Sequence, residues 1–209
     1  MISLSYSTIN MLYQASHNWI NKMCGLKPEE RPEWAVGKKI HQIIQDHISG
    51  KKLHRSLKHI KYTFPVVEEV DFDSRCKFDF PLLNTNYNII GFYDGLDLDN
   101  KRFLEIKSSD PLWSIRKFQD SLQRKVYALA KPELSEAILI TCSKDTKRWQ
   151  KTPPVVYKVP LTQKDREEAL KWILGGVKIL ESGEFSGGLD KEGKCTDPWC
   201  YYGANCQFK

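Results

Sequence analysis

What the chain lacks narrows it first. No uncharged apolar run approaches the roughly 20 residues needed to span a bilayer, and Met1-Ile-Ser-Leu-Ser-Tyr-Ser has neither the basic start nor the apolar centre of a secretory signal. The expectation is a soluble protein of the cytoplasm, a host's cytoplasm if the chain is phage-encoded. No segment completes a Gly-x-x-x-x-Gly-Lys-Ser/Thr phosphate loop, which argues against a self-contained ATP-driven motor. Internal repeats and low-complexity runs are also missing, so neither a solenoid nor a disordered linker protein is indicated.

What is present describes an ordinary globular chain. Its 209 residues are enough for one good core, and 41% hydrophobic with 28% charged residues is the usual balance. Against 26 acidic residues stand 32 basic ones, a net charge of +6 that would help to hold a polyanion without requiring one. In the reducing interior of a cell six cysteines are better read as metal ligands or buried thiols than as a disulfide framework. Three of them, Cys195, Cys200 and Cys206, crowd into the last fifteen residues.

Periodicity predicts a helix from Ser7, as N-cap, to about Cys24, carrying Ile9, Leu12, Tyr13, Trp19 and Ile20. A second helix is expected after Arg31-Pro32, through Ile40, Ile43, Ile44 and Ile48 to Gly50, with His41 one turn beyond Gly37. The basic stretch from Lys51 to Lys61 suits either a solvated face or phosphate contacts. Strands are expected near 60–72, 76–82, 87–94 and 102–107, most simply antiparallel in succession, then a helix near 115–130. Ala137 to Cys142 reads as a strand buried on both faces, and Val155 to Val159 as another. A last helix starts at Thr162 and ends near Gly183, after which glycines at 183, 187 and 188 loosen the chain.

The chemistry concentrates in residues 87–107. Asp97, Asp99 and Asn100 supply turn residues between two apolar runs, so the segment reads as a β-hairpin. Along its second strand alternation puts Glu105 and Lys107 on one face and turns Ile106 inward. Asp94, at the end of the first strand, can lie beside them. Two carboxylates with an ammonium nearby suit a hard divalent cation and an activated water. The same residues would also serve a solvated hairpin with surface ion pairs.

Asp94 followed by Glu105-Ile-Lys107 resembles the core of the PD-(D/E)XK nuclease superfamily, although Tyr93 stands where the signature has proline. Gly37-Lys-Lys-Ile-His41 resembles the Gly-x-x-x-His segment of its RecB-type exonuclease group. Gln123-Arg-Lys-Val-Tyr127 resembles that group's Gln-x-x-x-Tyr motif, and Ser5-Tyr-Ser-Thr-Ile-Asn its opening, all in the family's order. The resemblance implies an α/β (α+β), restriction-endonuclease-like mixed β-sheet flanked by helices, and a metal-dependent DNA nuclease. By the same resemblance Asp94, Glu105, His41 and the Ile106 carbonyl would hold Mg²⁺ or Mn²⁺. Lys107 would orient water or neutralise charge on the phosphorane, Gln123 would position water or the DNA backbone, and Tyr127 would support it.

The tail Cys195-Thr-Asp-Pro-Trp-Cys200-Tyr-Tyr-Gly-Ala-Asn-Cys206 resembles the C-terminal cysteines of iron–sulfur RecB-type nucleases, CRISPR-associated exonucleases and the AddB nuclease domain among them. There a cysteine of the N-terminal helix is the fourth ligand. Here Ala15 falls at that place, leaving Cys24 or His17 to substitute in a 4Fe–4S cluster, with zinc as the alternative and metal-free thiols as the remaining one. Cys76 and Cys142 are expected to be buried thiols.

The expectation is thus one nuclease domain: an N-terminal helix in 1–32, a nuclease core in 33–186 and a cysteine-rich tail in 187–209 packing back on it. Its activity would be exonucleolytic hydrolysis of DNA, single-stranded or at duplex ends, in recombination, end processing or phage DNA metabolism. An endonuclease, a flap or junction nuclease, or a non-cleaving nucleic-acid-binding module remain alternatives, and a homo-oligomer or a recombination or processivity partner is compatible with the small size.

Overall fold

A computed structural model describes residues 1–29, 32–48, 73–74, 76–185, 187–196, 200 and 202–208. The expected strand at 60–72 and the basic stretch from Lys51 to Lys61 lie outside them. The chain divides into two compact units, one of Met1–Arg31, Phe80–Ile90 and Glu168–Lys209, the other of Pro32–Asp79 and Gly91–Glu167. The architecture is mixed α/β, with a three-stranded and a five-stranded sheet among the described residues.

In the second unit the five-stranded sheet has the order β2–β5–β6–β7–β8, formed by Asp73–Ser74, Gly95–Asp97, Arg102–Ser108, Glu136–Cys142 and Val155–Pro160. β5 and β6 form a tight antiparallel hairpin, whereas β6 and β7 run parallel, Glu105 beside Leu139 and Lys107 beside Thr141. A parallel pair needs a crossover, and helices α4 (Ile115–Gln119) and α5 (Leu122–Ala130) supply it. The single helix expected near 115–130 is therefore two, parted at Asp120 and Ser121. Arg124 fixes that corner by donating to the carbonyls of Phe118 and Gln119, which a continuing helix would have used itself.

β7 is buried from Ala137 to Cys142, as its unbroken apolar run predicts. One face of the sheet is covered by α3 (Pro32–Ile48), whose Ile40, Ile43 and Ile44 pack with Leu104, Ile106, Ile138, Ile140 and Trp149. Truncating a fully buried residue such as Ile44 to alanine would cost about 2–5 kcal/mol. Alternation along β6 then forces Phe103, Glu105 and Lys107 to the opposite face.

The expected hairpin across residues 87–107 is broken. β4 (Tyr87–Phe92) belongs to the three-stranded sheet of order β1–β4–β3, with β1 (Ile2–Ser5) parallel to it and β3 at Lys77–Pro81. The strand ends before Tyr93, whose fully buried ring sits among Phe78, Phe103 and Tyr127. Gly91 is required for that cluster, because a Cβ there would lie 2.3 Å from the Phe78 ring.

In the first unit the helix expected from Ser7 is two helices, α1 (Tyr6–Ala15) and α2 (His17–Met23), meeting at Ser16. Ser5, not Ser7, caps α1 by accepting from the Thr8 N–H. The last helix, α6 (Gln163–Ser182), starts where Thr162 and Asp165 exchange hydrogen bonds, as the sequence predicts. Its Trp172 stacks on Tyr13 of α1, 5.6 Å between ring centroids. Among the described residues no helix is long and apolar enough to cross a membrane.

Candidate functional site

The gap between β4 and β5 places Asp94 at an open strand edge. The last pair of the β5–β6 ladder is Gly95 with Leu104, so beyond it β6 has no partner strand on that side among the described residues. Asp94 fills the position with its side chain: Oδ2 accepts the Ile106 N–H at 2.8 Å. In a strand the N–H and C=O of one residue leave by the same edge, which turns the Ile106 carbonyl toward Asp94 as well. Gln45 of α3 donates its side-chain amide to the Asp94 carbonyl at 3.0 Å.

His41, one turn before Gln45, brings its Nδ1 to 3.6 Å from Asp94 Oδ1, with the two side chains 31% and 22% exposed. Gly37 faces Ser108 at the end of β6, where a Cβ would meet Oγ at an ordinary 3.6 Å. The glycine is thus not needed for the approach of helix to strand.

On the other face Glu105 is almost entirely buried and touches the Lys107 ammonium. Burial pushes the Glu105 carboxyl up to about 7; Lys107 opposes the shift and Asp94 adds to it. Lys107 Nζ also donates to Gln123 Oε1 at 2.8 Å, and Gln123 Nε2 donates to the Tyr127 hydroxyl at 2.9 Å. Both residues lie on one face of α5, four apart, so the amide spans from phenol to ammonium. Tyr93 anchors the same helix from beneath, its hydroxyl donating to the Tyr127 carbonyl at 2.9 Å. Burial pushes both phenols well above their usual range and keeps them protonated.

The six side chains singled out by sequence, His41, Asp94, Glu105, Lys107, Gln123 and Tyr127, thus converge on one end of β6. Sequence reasoning missed Gln45, Tyr93 and Trp113. Gln45 had a signal, since it lies one turn from His41 on the same face; Tyr93 stood out only as a departure. The Trp113 ring lies 5.3 Å from Lys107 Nζ and 4.5 Å from Lys117 Nζ, a contact that comes from the crossover and has no local signature.

A second cluster belongs to the first unit. The ligand atoms of His17, Cys195, Cys200 and Cys206 all lie within 4.8 Å of one another, and this set could hold a metal ion. No other group of three or more such ligands is found among the described residues, and in the second unit Lys107 lies against Glu105. Cys24, expected as the fourth tail ligand, is not among the four. It caps the C-terminal end of α2, exposed, while the tail cysteines gather at the helix's start around His17. Seven positions of helix separate the two residues, about 10 Å along the axis.

No protein-family model and no curated protein sequence matches the chain. Its fold nevertheless matches solved structures. The crystal structure of SSO0001 aligns with a TM-score of 0.60 at 11% identity over 100% of this chain and 88% of that one. A candidate exonuclease of Eubacterium rectale aligns at 0.55 and 14% identity over 87% and 82%. At such identities the likeness is one of fold alone.

Proposed function

We propose that this chain is a divalent-metal-dependent deoxyribonuclease of the PD-(D/E)XK superfamily, in its RecB-type exonuclease group, acting on DNA in recombination, end processing or phage DNA metabolism. The observation that carries the reading is the meeting of Asp94 with the Ile106 N–H at the edge where Glu105 and Lys107 project. Two carboxylates, a strand carbonyl and one imidazole are a donor set suited to Mg²⁺ or Mn²⁺. The raised Glu105 carboxyl is the mark of a buried acid that a cation would relieve.

When bound, the cation supplies Lewis acidity toward a phosphate oxygen and toward the attacking water. The rest is the work of the chain. Lys107 holds its ammonium against Glu105 and would neutralise charge growing on the phosphate oxygens. Gln123 holds Lys107 on that face, and Tyr127 holds Gln123. Gln45 fixes the Asp94 backbone so that its carboxylate stays at the strand edge. In the overall reaction water adds to phosphorus, the bond to the leaving oxygen breaks, and a phosphate monoester and a hydroxyl result.

The test is cleavage of end-labelled single- and double-stranded DNA, linear and circular, in Mg²⁺, Mn²⁺ or chelator, against Glu105→Ala. Metal-dependent loss of linear DNA, absent in the variant, is expected, with circles spared by an exonuclease. Folded wild-type protein that binds DNA but cleaves nothing under any of these conditions would remove the nuclease reading and favour a non-cleaving binder.

A further inference from the structure

We propose that His17, Cys195, Cys200 and Cys206 form a four-coordinate site for a single zinc ion, in place of the iron–sulfur cluster that the RecB-type resemblance implies. Geometry decides between the two. Thiolates on one zinc ion can stand no further apart than two bonds laid end to end, about 4.6 Å, and stand about 3.8 Å apart at the tetrahedral angle. All four ligand atoms here lie within 4.8 Å of one another. In a 4Fe–4S cube each thiolate ends on its own iron, so an iron–iron edge is added between every two ligands. The four groups are too close for a cube and lie within a few tenths of an ångström of the limit for a single ion, a shift that side-chain rotation on binding supplies.

The donor set agrees. Three thiolates and an imidazole are a common structural zinc shell, whereas the cube takes four thiolates. His17 is set up as a ligand rather than as a core histidine. Its Nδ1 lies 2.7 Å from the Gly187 carbonyl, which can only accept, so Nδ1 carries the proton. The lone pair is then on Nε2, which is buried and, among the described residues, has no hydrogen-bond partner, in a residue with no exposed surface. An orphaned nitrogen costs free energy unless something ligates it, and fixing the tautomer through the other nitrogen is how zinc histidines are oriented.

The chain also leaves room for that ring. At Gly188, φ is +81°, and a Cβ would fall 3.0 Å from His17 Cε1 and 3.1 Å from Nδ1. The glycines that read as a loose linker are in part the wall of the site. Asn21 donates to Cys206 Sγ at 3.3 Å, the contact expected around a thiolate, and Cys200 donates to Asn18 Oδ1 at 3.3 Å, a proton it would surrender on ligation. With four protein ligands, two of its cysteines and its histidine buried, the site is closed and therefore structural. It ties α2 to the C-terminal tail.

The experiment uses the full chain and reads metal, not cleavage, so its outcome is independent of the nuclease reading. Elemental analysis of protein prepared without oxygen is expected to give one zinc per chain and no brown colour. Exchange with Co²⁺ should produce the visible bands of a tetrahedral ion with thiolate charge transfer. His17→Cys should keep a tetrahedral spectrum with stronger charge transfer. His17→Ala should weaken Co²⁺ binding by more than the roughly 10–100-fold that loss of an outer-shell partner costs. Iron with acid-labile sulfide in the wild type, a Co²⁺ spectrum that is not tetrahedral, or an unchanged spectrum in His17→Ala would each overturn the proposal.

Discussion

Lys107 and Gln123 meet end to end, the ammonium of β6 donating to the amide oxygen of α5 at 2.8 Å. Glutamine is suited to this because its two ends differ: the oxygen accepts from Lys107 while the nitrogen donates to the Tyr127 hydroxyl. Gln123→Glu would keep the acceptor and lose the donor; Gln123→Ala would lose both. We expect Gln123→Ala to lower kcat about 10–100-fold with little change in DNA affinity. Tyr127→Phe should lower it less, since it removes only the second bond. Single-turnover cleavage beside a filter-binding titration separates the two effects.

Lys107→Ala should be more severe, a loss of about 10²–10³-fold in kcat with DNA binding kept, because the charge it supplies is wanted most in the transition state. Retained cleavage in this variant would remove Lys107 from the chemistry.

Glu105 makes stability depend on pH in a stated direction. Its carboxyl is raised from the ordinary 4.5 to about 7 in the folded protein, so between these values the folded chain holds more protons than the unfolded one. The group's favourable contribution is complete below 4.5 and is lost as pH rises through about 7. Urea midpoints measured without added divalent cation should fall across that window, Glu105→Gln should flatten this part of the slope, and added Mg²⁺ should do the same.

Arg124 and Asp165 behave in the opposite sense. Arg124 Nη2 lies 2.6 Å from Asp165 Oδ1, and hydrogen bonds from Arg124 and Thr162 outweigh burial to hold the Asp165 carboxyl below its usual range. Its stabilisation is present above the unfolded pKa and is lost as pH falls through the folded one. Asp165→Asn leaves a guanidinium buried without its counter-charge and should cost about 3–5 kcal/mol at neutral pH, less in acid. Chemical denaturation at the two pH values reads this.

Gly91→Ala tests the floor of the site. The added methyl falls 2.3 Å from the Phe78 ring, which is itself wedged among Tyr93 and Tyr127. A destabilisation of about 1–3 kcal/mol is expected, with cleavage reduced beyond it as Tyr127 shifts. Thermal melts together with activity measured well below the midpoint would separate the two losses.

That the candidate residues would share faces was legible largely because they sit on elements with strong local signals. Glu105 and Lys107 share a face by strand alternation alone, and Gln123 and Tyr127 by helical spacing. The double burial of Ala137 to Cys142 could likewise be read directly. What sequence did not carry were choices made between distant segments. Nothing local to Tyr93 says that the strand must stop there and hand over to another sheet, because its burial depends on Phe78, Phe103 and Tyr127 arriving from elsewhere. The parallel pairing of β6 with β7 is equally non-local. The choice of His17 over Cys24 depends on which end of α2 the tail reaches, and that is settled by the Gly187–Gly188 approach some 170 positions away along the chain.

That separation bears on how the protein is made. On the ribosome α2 emerges long before Cys195, Cys200 and Cys206, the residues that gather against it. The apolar and polar surface around His17, Asn18 and Asn21 therefore stays uncovered until those distant residues have been made, a slow, long-range closure of the kind that exposes a nascent chain to misassembly. Loss of the segment that carries Cys200 and Cys206 would be felt at α2, far upstream, rather than at the helix nearest to it in sequence.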